Sequence, residues 1–274
     1  MPKELELPKS LRVSEIFQSV QGEGGRVGLM ATFVRLAGCN LQCAGWPCDT
    51  PYAQSVKDSK VMDLGTLLSE IPDWPPYIVW TGGEPLMQMN MQGKTMIPVM
   101  NSSRGPLASP YHGFDNKLLK PGLAQTTTDT LAMAMNYFAF ERKFAQDLFT
   151  NGSFELPAEI LALPGMQVIM DFKLPSSGEY GKSLLQNIPR LRLADTLKFV
   201  VATHKDYMLV VDCIRKYRPR AIVTITPAAK GNEDELRYLV DVPGLVKQII
   251  LDKLQVRFQL QMHKYIWPPK TRGV

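Results

Sequence analysis

Residues 39–50 read Cys39-Asn-Leu-Gln-Cys43-Ala-Gly-Trp-Pro-Cys48-Asp49-Thr50, and the sequence around them decides the fold class. The run at residues 31–36, ATFVRL, stands directly before this loop and reads as a β-strand. A helix pattern follows over residues 61–71. Residues 77–80, YIVW, then form a short apolar strand that runs straight into Thr81-Gly82-Gly83-Glu84-Pro85. Strands that end in functional-looking turns and alternate with helices argue for a parallel sheet covered by helices, an α/β fold.

The same alternation continues outward. Residues 14–20 lead into the Gly-rich turn Gln21-Gly22-Glu23-Gly24-Gly25. Leu131, Ala134, Met135, Phe138 and Arg142 keep i, i+3, i+4 spacing and predict an amphipathic helix. Strands are expected at residues 166–172, 196–202, 220–225 and 256–262, and helices at residues 206–217 and 232–239. No internal repeat is present. Residues 89–127, rich in Met, Asn, Gln, Ser, Gly and Pro, hold no period and read as a long irregular insertion, a lid, partner surface or disordered loop.

Bulk properties set outer limits. The chain has 274 residues, enough for one large domain or two small ones. Hydrophobic residues at 45% and charged residues at 21% are ordinary for a soluble globular protein. The net charge of +5 fits an anionic small substrate or weak nucleic-acid affinity and demands neither. No Lys/Arg block suggests a nucleic-acid-binding arm. The opening residues lack the apolar core of a signal peptide, and no stretch of about 18 apolar residues could span a membrane. A cytoplasmic location with no membrane partner is the expectation.

Three of the four cysteines crowd into the loop, and Cys213 lies far away in an apolar helix pattern, where a buried inert thiol is expected. Thiolates hold iron–sulfur clusters, normally one per iron. A trio leaves one iron of a cubane open to a chelating amine and carboxylate, which S-adenosylmethionine (SAM) offers. A structural zinc site is the alternative, but zinc wants a fourth ligand and the nearest histidine, His112, lies in the insertion. On the trio alone, cluster and zinc remain equally open. The Gly82-Gly83 turn shifts the balance, because glycines let backbone approach a ligand closely and Glu84 can lock the turn. His112 and His204 carry no motif and are expected to be structural or exposed.

The cysteine loop and the Gly-Gly-Glu-Pro turn together resemble the radical SAM superfamily. Within it, Glu15-Ile-Phe-Gln-Ser-Val-Gln-Gly-Glu-Gly24, Phe33-Val-Arg-Leu-Ala-Gly-Cys-Asn-Leu41, Cys48-Asp-Thr-Pro-Tyr-Ala53 and Thr81-Gly-Gly-Glu-Pro-Leu86 are similar to the 7-carboxy-7-deazaguanine synthases. Thr150-Asn-Gly152, residues 171–178, residues 197–201 and Gln261-Met-His-Lys264 extend the likeness towards the C-terminus.

The resemblance implies a lyase that converts 6-carboxy-5,6,7,8-tetrahydropterin into 7-carboxy-7-deazaguanine and releases ammonia, a step towards 7-deazapurines such as queuosine. It implies a partial, modified (β/α) barrel forming a single radical SAM domain over residues 1–274, and a homodimer. The implied cofactors are a [4Fe–4S] cluster, SAM and Mg2+. The implied electron donor is a flavodoxin or ferredoxin, with no direct nucleic-acid partner.

By the same resemblance, Cys39, Cys43 and Cys48 match the cluster ligands and Thr50 the magnesium ligand, a hydroxyl suiting a hard cation. Val20, Gln21, Gly22, Arg35, Thr81 and His263 match substrate contacts. The Gln21 amide would pair with the pterin edge and Arg35 with a carboxylate. Gly83, Asp171, Phe172 and Lys173 match the SAM site, to which Thr226-Pro227-Ala228 would also contribute.

Two departures stand out. Four residues separate Cys43 from Cys48 where two are usual in the superfamily, and Phe149 stands where a glutamate is common before Thr-Asn-Gly. Two other readings compete. A glycyl-radical activase would not need the Gln21–Gly24 turn or the Asp49-Thr50 pair. A zinc-stabilised non-enzymatic binding protein would carry zinc rather than iron and sulfide.

Overall fold

The computed structural model describes residues 10–44, 48–89, 129–231, 236–268 and 271–274. Of the insertion at residues 89–127, everything beyond Met89 lies outside the described residues, as does His112.

The described strands begin with β1 (Ser10–Val20), β2 (Met30–Leu36), β3 (Lys60–Asp63) and β4 (Tyr77–Gly82). They continue with β5 (Ala145–Thr150), β6 (Met166–Phe172), β7 (Thr196–Val201), β8 (Ile222–Pro227) and β11 (Arg257–Phe258). These form one nine-stranded sheet in the order β11-β8-β7-β6-β5-β4-β2-β1-β3. From β2 to β11 every neighbouring pair is parallel, whereas β1 runs antiparallel to β2 and β3. Among the described residues β3 and β11 are the sheet's ends, as a partial barrel requires. A two-stranded ribbon, β9 (Ala229–Gly231) with β10 (Leu236–Tyr238), stands apart from it.

The helices are α1 (Leu64–Glu70), α2 (Thr130–Phe140), α3 (Ala158–Leu161), α4 (His204–Tyr217), α5 (Val242–Leu251) and α6 (His263–Ile266). Side-chain caps start several of them. Asp63 accepts from the Thr66 N–H in α1, and Asp129 from the Ala132 N–H in α2. Thr203 and Asp206 form a capping box at α4, satisfying two otherwise orphaned donors. Among the described residues no helix is long and apolar enough to cross a membrane.

Strand alternation divides the chemistry between the two faces of the sheet. Val34 and Leu36, Ile78 and Trp80, Leu148, Val168, Met170 and Phe172, and Leu197, Phe199 and Val201 pack with the helices in the main core. Phe33, Arg35, Val79, Thr81, Phe149, Asp171, Lys198 and Val200 face the other side, where a cavity opens. Polar residues at alternate positions of otherwise apolar strands therefore mark the working face.

Several sequence expectations need correction. Residues 61–63, expected within a helix, pair with Ser10–Arg12 as part of a strand, and the Asp63 cap starts the helix only at Leu64. The helix expected at residues 232–239 is contradicted by β10, whose Leu236, Arg237 and Tyr238 pair with β9; residues 232–235 lie outside the described residues. The strand expected at residues 256–262 shrinks to Arg257–Phe258. Strand β5 and helix α5 were not anticipated. In β5, Gln146 and Asp147 disguise a buried strand, although both are fully buried and bonded.

Asp147 belongs to a buried ion pair. Arg26 meets Asp147 through Nη1, which also donates to the Gln146 carbonyl, while Nη2 donates to the Gly165 carbonyl. The Tyr77 hydroxyl donates to the other Asp147 oxygen at 2.5 Å. Burial pushes the Asp147 carboxyl up and the Tyr77 phenol well above its ordinary range. Removing one partner of such a pair strands a charge, at a cost of about 3–5 kcal/mol. Arg26→Ala should lower folding stability by about that amount in a denaturant titration; a loss under about 1 kcal/mol, the range of an exposed pair, would show that the pair is not buried in solution.

Candidate active site

The cavity, of about 250 Å³, opens where the parallel strands end. Open parallel sheets bind ligands at that edge because successive loops converge there. Its lining comes from the β1–β2 turn (Gln21, Gly22, Glu23), the cysteine loop (Cys39, Cys43, Cys48, Asp49, Thr50), the turn after β4 (Thr81, Gly82, Gly83), the ends of β5 and β6, Lys198, and the C-terminal residues Gln261, His263 and Lys264. Of the predicted site residues, all but Phe172 and Thr226-Pro227-Ala228 line it. The Phe172 side chain lies on the opposite face of β6, buried in the core 5.6 Å from the Phe199 ring, as alternation with Asp171 requires. Thr226, Pro227 and Ala228 are buried and take no part in the lining.

The Gly82-Gly83 turn is held by tight backbone geometry. Gly83 N–H donates to the Leu36 carbonyl at 3.0 Å, and Glu84 N–H to the Gly38 carbonyl at 2.8 Å. Gly82 adopts φ +132°, and a Cβ there would lie 1.9 Å from the Leu36 carbonyl oxygen. A Cβ on Gly83 would lie 2.1 Å from the Gly38 carbonyl oxygen. Both glycines are thus fixed by contact with the backbone that leads into Cys39. With its N–H spent on Leu36, Gly83 has its carbonyl to offer a ligand.

Glu84 locks this turn as expected. The carboxylate is fully buried and accepts from Leu86 N–H at 3.0 Å, Thr150 Oγ at 2.9 Å and Asn151 N–H at 2.6 Å. Burial drives its pKa up to about 7 in spite of these donors.

Cys39, Cys43 and Cys48 are free, partly exposed thiols on one cavity wall. Burial raises the pKa of Cys39, and that of Cys43 to about 11, with the neighbouring cysteines adding to both shifts. Among the described residues no three Cys, His, Asp or Glu side chains converge on a single-ion site. A cubane spreads its thiolates over separate irons, so the donor set fits an iron–sulfur cluster. Cys213 is buried in α4, as the sequence suggested.

Beside the thiols stands a charged wall. Lys173 Nζ pairs with Asp171 at 3.0 Å. Burial opposes its charge, but Asp171 and Cys43 outweigh that and hold its pKa above the ordinary value. The other Asp171 oxygen, Oδ1, is buried without a partner among the described residues. Arg35 lies over the Phe17 and Tyr52 rings and donates through Nε to Glu15 at 2.6 Å, so Glu15 leaves the terminal fork unclaimed. Thr50 Oγ lies 3.9 Å from Cys48 Sγ. His263 sits against Gly22, where a Cβ would come within 2.2 Å of its Nδ1, and burial depresses its pKa, favouring the neutral ring.

Gln21 behaves differently from expectation. Its Nε2 donates to Tyr77 Oη at 3.1 Å and its Oε1 accepts from Glu23 N–H at 3.2 Å. The amide expected to read a substrate edge is turned into the Tyr77–Asp147–Arg26 network, where it fixes the turn.

Sequence reasoning missed two ion pairs. Lys198 Nζ donates to Glu23 at 2.7 Å, and Lys264 Nζ to Asp49 at 2.7 Å, with Gln261 also donating to Asp49 at 3.2 Å. A lysine at an inward position of the apolar run Leu197-Lys198-Phe199-Val200-Val201 was the available signal.

A three-cysteine loop facing a Gly-Gly-Glu-Pro turn at the mouth of an open parallel sheet defines a radical SAM protein. A 7-carboxy-7-deazaguanine synthase of Koribacter versatilis is 30% identical over 273 residues, covering 96% of this chain and 100% of the relative. One of Methanospirillum hungatei is 31% identical over 265 residues, covering 94% and 86%. The chain belongs to the 7-carboxy-7-deazaguanine synthase family. The crystal structure of QueE from Escherichia coli shares the fold, with a TM-score of 0.59, 18% identity and coverage of 93% of this chain and 95% of that one. No family model matches the chain.

Two outcomes test this geometry. Gly83→Ala should displace the cysteine loop, so that melting temperature and reconstituted iron content fall together; full iron at the wild-type melting temperature would contradict the close fit. Glu84 should make stability fall as pH rises from about 4.5 to about 7, because there the folded state keeps a proton that the unfolded chain has released. The shift corresponds to about 3 kcal/mol. Glu84→Gln should flatten that part of the stability–pH profile.

Proposed function

We propose that this chain is a radical SAM lyase that contracts the ring of 6-carboxy-5,6,7,8-tetrahydropterin to give 7-carboxy-7-deazaguanine and ammonia, in 7-deazapurine biosynthesis of the queuosine type. The observation that carries this reading is the meeting, in one cavity, of three free thiols, the glycine turn and a charged wall, in a chain with full-length relatives of that name.

Cys39, Cys43 and Cys48 hold a [4Fe–4S] cluster, Gly83 and the Asp171–Lys173 pair receive SAM, and the Thr50 hydroxyl is the hard oxygen for Mg2+. When bound and reduced by the external electron donor, the cluster and SAM would supply radical hydrogen-abstraction chemistry at this cavity. The protein's own residues orient the substrate. Arg35 offers its terminal fork to the substrate carboxylate, with Nε already anchored by Glu15. Neutral His263, braced by Gly22, can donate and accept at the same substrate edge. Val20, Phe33, Val79 and Phe149 supply apolar surface that excludes water from the reacting atoms. Thr81 lies at the mouth between Arg35 and the glycine turn. A homodimer in the cytoplasm, with a flavodoxin or ferredoxin as electron donor, completes the reading, and the substrate is a small molecule.

The test is anaerobic purification, reconstitution with iron and sulfide, and incubation with SAM, a reductant, Mg2+ and the carboxytetrahydropterin. Mass spectrometry should show 7-carboxy-7-deazaguanine from the wild type and from Cys213→Ala, and none from Cys39→Ala, Cys43→Ala or Cys48→Ala. SAM cleavage without deazaguanine would keep the superfamily and remove the substrate assignment.

A further inference from the structure

Strand β5 ends at Thr150, and the next residue, Asn151, is buried at the cavity edge beside the cysteine loop. Its backbone is pinned on both sides. The N–H donates to Glu84 Oε2 at 2.6 Å, and the carbonyl accepts from Ser183 Oγ at 2.9 Å. Its side-chain Oδ1 accepts from the Ser153 N–H at 2.9 Å. That bond fixes the sense of the amide, since an N–H cannot be met by an NH2 group. The NH2 end must therefore face the loop. There Nδ2 meets Asn40 Oδ1 at 3.2 Å and Cys39 Sγ at 3.9 Å, sulfur's larger radius making such a contact longer than one to oxygen. The same sulfur takes the Leu41 N–H at 3.4 Å.

The three thiols are consequently unequal. Cys48 Sγ meets the Thr50 hydroxyl at 3.9 Å, and Cys43 Sγ takes no hydrogen bond among the described residues. Among the described residues, only at Cys39 does a buried side-chain amide of fixed orientation point at sulfur. Nothing in the substrate chemistry calls for this arrangement, because the amide is already spent on Ser153, Asn40 and Cys39.

We infer that Asn151 is a positioning residue for the iron–sulfur cluster, its side-chain N–H acting on Cys39 Sγ to raise the cluster's reduction potential. The inference rests on the cluster assignment proposed above. Adding an electron to a thiolate-bound cluster increases negative charge on the sulfurs. An N–H dipole aimed at one of them stabilises the reduced form more than the oxidised form, and hydrogen bonds to sulfur are among the protein's levers on cluster potential. Asn40 holds the second N–H and so keeps the amide in the plane that aims the first at Cys39.

The experiment is a redox titration of the reconstituted, full-length protein with dithionite, without SAM or substrate, followed by electron paramagnetic resonance of the reduced cluster. Asn151→Leu keeps similar volume and removes the donor. Asn151→Ser keeps an oxygen near the Ser153 N–H but is too short to reach Cys39. Both variants should show a midpoint potential more negative than wild type at equal iron content, and Cys213→Ala should match wild type. Midpoints equal to wild type in variants that retain the cluster would overturn the inference, even if activity fell, because a residue that merely holds the turn does not move the potential. Should Asn151→Leu fail to retain iron, Asn151→Ser decides alone. A wild-type protein that takes up no [4Fe–4S] cluster would sink the cluster assignment and this inference with it; equal potentials at full iron content would remove the inference only.

Discussion

A single buried carboxylate ties the site together. Glu84 sits at the end of β4 and reaches across to the end of β5, where it accepts from Thr150 Oγ and Asn151 N–H while also capping its own turn at Leu86 N–H. Within the strands, β4 and β5 are linked by ladder bonds and by the Tyr77–Asp147 and Trp80–Gln146 side-chain bonds, all of which stop where the strands stop. The Glu84 bonds extend that linkage one step further, into the loops that line the cavity. Burying a carboxylate is expensive unless its lone pairs are met, and the raised pKa shows that the cost is only partly offset. The return is positional: the glycine turn, the Thr-Asn-Gly turn and, through the Gly38 carbonyl, the start of the cysteine loop are joined through this one residue.

The rest of the cavity is built on the same plan of charges bound before any ligand arrives. Arg35 is held by Glu15, Lys173 by Asp171, Lys198 by Glu23 and Lys264 by Asp49. Two of them join distant parts of the sequence: Lys198–Glu23 ties β7 to the turn after β1, and Lys264–Asp49 ties the C-terminal segment to the cysteine loop. Prepaired charges have fixed directions and small reorganisation costs, which is what a site needs if it is to orient a reactive species rather than merely attract it. Gln21 follows the plan: its amide is given up to Tyr77 and Glu23 so that the turn around it stays rigid.

Much of this was legible in the residues. The cysteine loop, the glycine turn and strands β2, β4, β6, β7 and β8 of the central sheet follow from short-range signals, namely short apolar runs and turns rich in glycine. What was not legible depends on long-range partners. Residues 60–63 become a strand because Ser10–Val13 lie alongside, and Leu236–Tyr238 because β9 does. The resemblance places Phe172 at the SAM site with Asp171 and Lys173, yet a strand sends adjacent side chains to opposite faces. Lys198 and Glu23 are 175 positions apart, and no local pattern joins them.

The two faces of the sheet also explain why a chain about 30% identical to its relatives can keep one chemistry. On the helix face, Val34, Leu36, Ile78, Trp80, Val168 and Met170 need only be apolar and fill the space, and cores accept many such exchanges when volume is conserved. On the cavity face, Arg35, Asp171 and Lys198 each meet a specific charge of opposite sign, and Gly82 and Gly83 meet backbone where no Cβ fits. An exchange there removes a partner or creates a clash, either of which costs more than an imperfect core contact.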